Sequence, residues 1–133
     1  MLLLDIKDNS PGLEGILTEY VSDEENTDNI NQENTKAQLP ILKPGFPVYL
    51  VIKSDVDLSL PENKPIIRPT RLLYGFKIEL SDMVFSHIIE NEKTFYQAET
   101  TMILVQNAEN PGHDFDLCVY NRTERDEIPL RIE

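Results

Sequence analysis

Apolar and polar residues alternate with a period of two along much of this chain, the spacing of a strand that buries one face. The clearest case follows His113, where Phe115, Leu117 and Val119 alternate with Asp114, Asp116 and Cys118. The longest is Thr94–Gln106, in which Thr100, Thr101, Ile103 and Val105 bring β-branched side chains and Tyr96, Ala98, Met102 and Leu104 form a second apolar set. Pro47–Lys53 follows the turn Lys43-Pro44-Gly45 and is rich in valine, tyrosine and isoleucine. Leu2–Lys7 is a short apolar run closed by the turn cluster Asp8 to Gly12. Leu13–Val21 fits both periods, but glycine in so short a segment makes a poor helix, so a strand is expected. Ile66–Leu80 is expected as one further strand with Gly75 as a bulge, and Ile128–Ile132 as a short final edge strand.

One segment breaks the β pattern. Ser81 or Asp82 suits a helix N-cap, and Val84, Phe85, Ile88 and Ile89 recur at helical spacing, which predicts a short helix over 82–92. The stretch 22–38 has little apolar content and a high density of Asn, Asp and Glu, so it cannot bury enough surface to offset the entropy of ordering it. It is expected as a mobile acidic insertion. The whole then reads as a single domain over 1–133, mainly β with a minor α contribution, built as an antiparallel sandwich or open barrel.

Length agrees with one domain: 133 residues and 15.3 kDa suffice for a single core. Charge changes the picture more. The net charge of -12 disfavours nucleic acid as a partner, because phosphates are neutralised by clustered Lys and Arg. Its distribution is uneven: residues 1–35 hold nine acids and one base, 36–77 three acids and seven bases, and 78–133 twelve acids and four bases. The single cysteine, Cys118, excludes an intrachain disulfide and a cysteine-built zinc site. The leading leucines are too few for a signal peptide or a spanning segment, so a cytoplasmic setting is expected, that of the host if the protein is viral, with no membrane partner.

Candidate chemistry is sparse. On a helix, His87 and Glu90 would be neighbours on one face, and with His113 and Asp116 they are the weak candidates for a metal-dependent hydrolase. The plainer account of His87 and Glu90 is a solvated helix face. On a strand, Asp114, Asp116 and Cys118 share a face, but acids flanking a thiol suppress its thiolate. No phosphate-binding glycine loop, nucleophile elbow or HExxH occurs, and no cofactor or metal is expected. In the basic middle, Lys64, Arg68, Arg71 and Lys77 with Tyr74 and Phe76 interleaved could follow a phosphate backbone and stack bases, or simply neutralise the protein's own acids.

The leading expectation is a non-enzymatic, acidic protein-binding module, such as an inhibitor or immunity factor. It would meet a basic partner through Asp23, Glu24, Glu25 and Asp28, and through Asp114, Asp116, Glu124, Asp126 and Glu127. The alternatives are an assembly component of a virion or secretion apparatus self-associating through the edges Leu2–Lys7 or Ile128–Ile132, a single-stranded nucleic-acid binder using 64–77, and the metal-dependent hydrolase.

Overall fold

A computed structural model describes residues 1–20, 36–109 and 113–132. Ten strands account for most of them: β1 (Leu2–Ile6), β2 (Leu13–Tyr20), β3 (Lys36–Leu42), β4 (Pro47–Ser54), β5 (Ile66–Pro69), β6 (Phe76–Leu80), β7 (Val84–Glu90), β8 (Lys93–Gln106), β9 (His113–Tyr120) and β10 (Arg125–Ile132). They form two five-stranded sheets. The first runs β1-β4-β8, with β6 and β7 end to end along the far side of β8; the second runs β2-β3-β10-β9-β5. Pairing is antiparallel except where Arg131 and Ile132 run parallel to Ile41 and Leu42.

The core lies between the sheets and follows the period-two pattern. Leu4, Leu50, Ile52, Ala98, Met102 and Leu104 project from the first sheet, and Leu42, Phe115, Leu117, Val119, Leu130 and Ile132 from the second. Each is buried, so one apolar layer serves both sheets, the arrangement of a β-sandwich. The mainly β class is thus as the alternation predicts, and Phe115, Leu117 and Val119 face inward as expected.

Three elements differ from expectation. The segment 82–92 is no helix: Val84–Glu90 is β7, joined to β8 by the two-residue turn Asn91-Glu92, both with positive φ (49° and 65°). That is the turn geometry whose twist matches a hairpin, and it outweighs the weak helical spacing. Ile66–Leu80 is not one strand but two, β5 and β6, in different sheets, because the chain leaves β5 at Pro69 and enters β6 from Gly75 at φ 80°. Ile128–Ile132 is no edge, since it belongs to β10 with β9 on one side and β3 on the other. Of the expected insertion 22–38, Lys36, Ala37 and Gln38 are the first rungs of β3, paired with Tyr20, Glu19 and Thr18 of β2, and the remainder lies outside the described residues.

The two seams of the sandwich are unlike. At one, β1 approaches β10, where Leu4 N–H donates to Asp126 Oδ2 at 2.8 Å. At the other, β5 ends one sheet and β6 the other, and the chain crosses between them through 70–75. Among the described residues no helix is long and apolar enough to cross a membrane.

Candidate binding site at the open seam

The seam between β5 and β6 holds a groove of about 480 Å³. Ile67, Arg68 and Pro69 line it from β5, Arg71, Leu72 and Leu73 from the crossing, and Phe76, Ile78 and Leu80 from β6. Its floor is core: Ile67, Leu73 and Phe76 are buried. Its rim is not, since Leu72 and the neighbouring Tyr74 are each 71% exposed and Leu80 is 39% exposed. A large apolar side chain left in water forgoes about 1.5–3 kcal/mol that burial would return, so two or three together on one rim form a surface suited to being covered.

The edges of β5 and β6 differ in what they offer the seam. Thr70 N–H donates to Asp116 O at 2.9 Å, so even-numbered residues of β5 face β9, while Ile67 and Pro69 face outward. Proline has no N–H, which blunts that edge. In β6, Gly75 O accepts from Asn107 N–H at 2.8 Å and Ser81 N–H donates to Thr101 O at 2.9 Å. Odd positions therefore face β8, and the amides and carbonyls of Ile78 and Leu80 point into the seam.

Among the described residues no carboxylate lines this groove, whereas Arg68 and Arg71 both do. Arg71 reaches across with its Nη2 to the Asp114 carbonyl, which fixes the crossing to β9. Arg68 stands in a cross-strand row with Cys118 and Glu127 on the outer face of the second sheet. Of the basic stretch, then, Arg68 and Arg71 come together here with Tyr74 beside them. Phe76 is buried, and Lys64 and Lys77 are exposed elsewhere, Lys77 on the sheet face opposite its neighbours Phe76 and Ile78.

The acids expected to dock a partner are differently disposed. Arg131 grips Asp114 through Nε to Oδ1 (2.5 Å) and Nη2 to Oδ2 (2.9 Å). Glu124 pairs with the Met1 ammonium at 2.5 Å, Asp126 accepts from Leu4, and Glu127 accepts from Arg125 Nε at 2.8 Å. Four of these five acids are thus engaged within the chain; Asp116 lines a smaller cleft of about 300 Å³ with Arg71 and Thr70. Asp23, Glu24, Glu25 and Asp28 lie outside the described residues.

The hydrolase constellation does not assemble as expected. On a strand, positions three apart face opposite ways: His87 sits against the Tyr96 ring at 6.4 Å, and Glu90 lies across from Lys93 on the other face. Asp116 belongs to the second sheet, as does the backbone of His113. Among the described residues no three His, Cys, Asp or Glu side chains converge as metal ligands would. Cys118 shares a face with Asp114 and Asp116 as expected, yet it is only 4% exposed, and its burial pushes the thiol pKa up.

The seam residues that the sequence reading missed are Leu72, Leu73, Ile78 and Leu80. Pro69 and Gly75 were the signals that could have found them, since together they bracket a break between two strands. Comparison with known proteins returns no match, whether to a family model, to a characterised sequence or to a solved structure.

Proposed function

We propose that this chain is a non-enzymatic protein-binding module that docks its partner at the open seam between β5 and β6. The observation that carries this reading is the apolar rim of Leu72, Tyr74 and Leu80 around an arginine-flanked groove. Tyrosine and arginine are enriched at interface hot spots, and beside a concave apolar centre the burial of that centre supplies affinity while the charged rim orients the partner. The described acids are less well placed for that task, because the carboxylates of Asp114, Glu124, Asp126 and Glu127 already have partners in the chain. A base-stacking surface would need Phe76 in the open, and it packs in the core. Assembly through strand edges would not use Ile128–Ile132, which is interior, nor β1, whose outward amides at Leu4 and Ile6 are taken by Asp126 and Asp5.

The test is affinity capture from the native host with three baits: the wild-type chain, a Leu72→Asp/Tyr74→Asp variant and an Asp114→Asn/Glu127→Gln variant. Docking at the seam predicts a retained protein that the first variant loses and the second keeps. A protein retained by the seam variant and lost by the acid variant would overturn the proposal in favour of a basic partner on the acidic face.

A further inference from the structure

We infer that the occupant of the seam is an extended partner segment, apolar on its groove-facing side and acidic at its flanks, that adds as a strand to the open edge of β6. This rests on the seam being the docking surface and specifies how it is used. Strand addition needs an edge whose backbone groups face outward without a cap, and the edges of this protein are unequal in that respect. On β1 the outward amides of Leu4 and Ile6 are held by the carboxylates of Asp126 and Asp5, both at 2.8 Å. On β5 one of the outward positions is Pro69, which donates nothing. On β6 the outward positions include Ile78 and Leu80, each carrying an amide, a carbonyl and an apolar side chain that lines the groove.

Charge selects the segment. The chain is -12 overall, yet among the described residues the lining of this groove contains two arginines and no acid. A strand laid along β6 alternates its side chains between the groove and the outside. Apolar residues on its inner face would cover Ile78, Leu80 and Leu72, and carboxylates flanking the paired stretch, where the segment leaves the groove, would meet Arg68 and Arg71 in charge-assisted hydrogen bonds. Basic flanks would place their charges against those same arginines and be rejected.

The probe is a pair of capped octapeptides that share a central Leu-Thr-Leu-Thr and carry two glutamates or two lysines at each end, titrated into the full chain and followed by amide chemical shifts. Strand addition predicts that the glutamate peptide binds about tenfold or more tighter than the lysine peptide, through two charge-assisted contacts. It also predicts slowed hydrogen exchange at the Ile78 and Leu80 amides. Leu80→Pro removes an outward donor while leaving the ladder to β8 intact, so it should abolish that binding with the melting transition retained; Arg68→Glu should erase the preference for glutamate. Equal binding of the two peptides, or binding that survives Leu80→Pro, overturns the inference. Concentration-dependent self-association lost in Leu80→Pro would instead assign the edge to a second copy of the chain and also overturn it. Loss of a host partner from the Leu72/Tyr74 variant, with no discrimination between the peptides, would leave seam docking standing and strand addition refuted.

Discussion

Leu4 and Asp126 are 122 residues apart in the chain, and the Asp126 carboxylate accepts the Leu4 amide proton at 2.8 Å. The bond joins β1 of one sheet to β10 of the other, closing one seam of the sandwich. It also occupies an amide that would otherwise be offered to another strand. Lys7 N–H, donating inward to Tyr49 O at 2.9 Å, fixes which β1 amides face β4 and which face out. The same carboxylate that looks in the sequence like part of an acidic docking face is therefore a structural acceptor.

Replacing Asp126 with alanine leaves the Leu4 amide without an acceptor in a partly buried place. The expected cost is about 1.5–3 kcal/mol, the range for hydrogen bonds to a charged group, and Asp126→Asn, which keeps an acceptor oxygen, should lose less. Urea unfolding of the three proteins checks this; equal midpoints for wild type and Asp126→Ala would refute it.

Gly12 is held where no side chain fits. A Cβ there would lie 2.5 Å from Phe46 O and 2.6 Å from Val48 Cγ2, while its own N–H donates to Pro47 O at 2.7 Å and its carbonyl accepts from Lys43 N–H at 2.8 Å. Gly12→Ala should cost about 1–3 kcal/mol by forcing β4 and the turn apart. Gly15→Ala, whose Cβ would meet nothing within 4 Å, is the control and should be neutral or slightly stabilising. Thermal melts of both variants decide it.

These contacts mark how far the sequence could be read. The β class and the inward set Phe115, Leu117 and Val119 were legible because period two is unambiguous when acids fill the alternate positions. The hairpin at 84–99 was not, because a separation of four is in phase with both a helix and a strand. Val84 and Ile88 share one face of β7, Phe85 and Ile89 the other, and the doublets arise because apolar residues occupy both faces. Arg68 and Arg71 were singled out by charge, but their place at the groove depends on β5 and β6 belonging to different sheets. Sheet membership is a long-range property that local pattern does not encode. The acids were found individually as well, while their partners come from different levels of structure: Arg131 faces Asp114 through the β9–β10 register, Arg125 stands two positions from Glu127 on β10, and the Leu4 amide is brought to Asp126 by the packing of the two sheets.

Glu92 holds φ at 65°, a left-handed conformation that costs a residue with a Cβ about 1–2 kcal/mol. Asn91, at 49°, is of the type that tolerates it. Glu92→Gly should therefore stabilise the hairpin by about 0.5–1 kcal/mol, the gain being reduced by the extra freedom of glycine in the unfolded chain. A raised urea midpoint with unchanged slope supports this, and a lowered one would show that the turn is not of this type.

Cys118 links burial to alkaline stability. Desolvation raises its thiol pKa in the folded state, with Arg125 nearby opposing and Glu127 and Asp126 adding to the rise. An acid whose folded pKa lies above its unfolded one is bound to its proton more firmly when folded. Below the ordinary value of 9.0 both states are protonated and the thiol's preference is fully expressed. As pH rises past that value the unfolded chain gains by ionising while the folded chain cannot, so stability falls by up to about 1.4 kcal/mol per pH unit until the folded pKa is reached. Other groups titrate in the same range, so the informative quantity is the difference between wild type and Cys118→Ala. At pH 7.5 the wild type should be the more stable of the two, because alanine leaves a small void beneath Arg68 and Glu127. At pH 10 that advantage should shrink or reverse. Urea midpoints at the two pH values measure it; an advantage independent of pH would mean that the thiol ionises as readily folded as unfolded and that its burial is not maintained in solution.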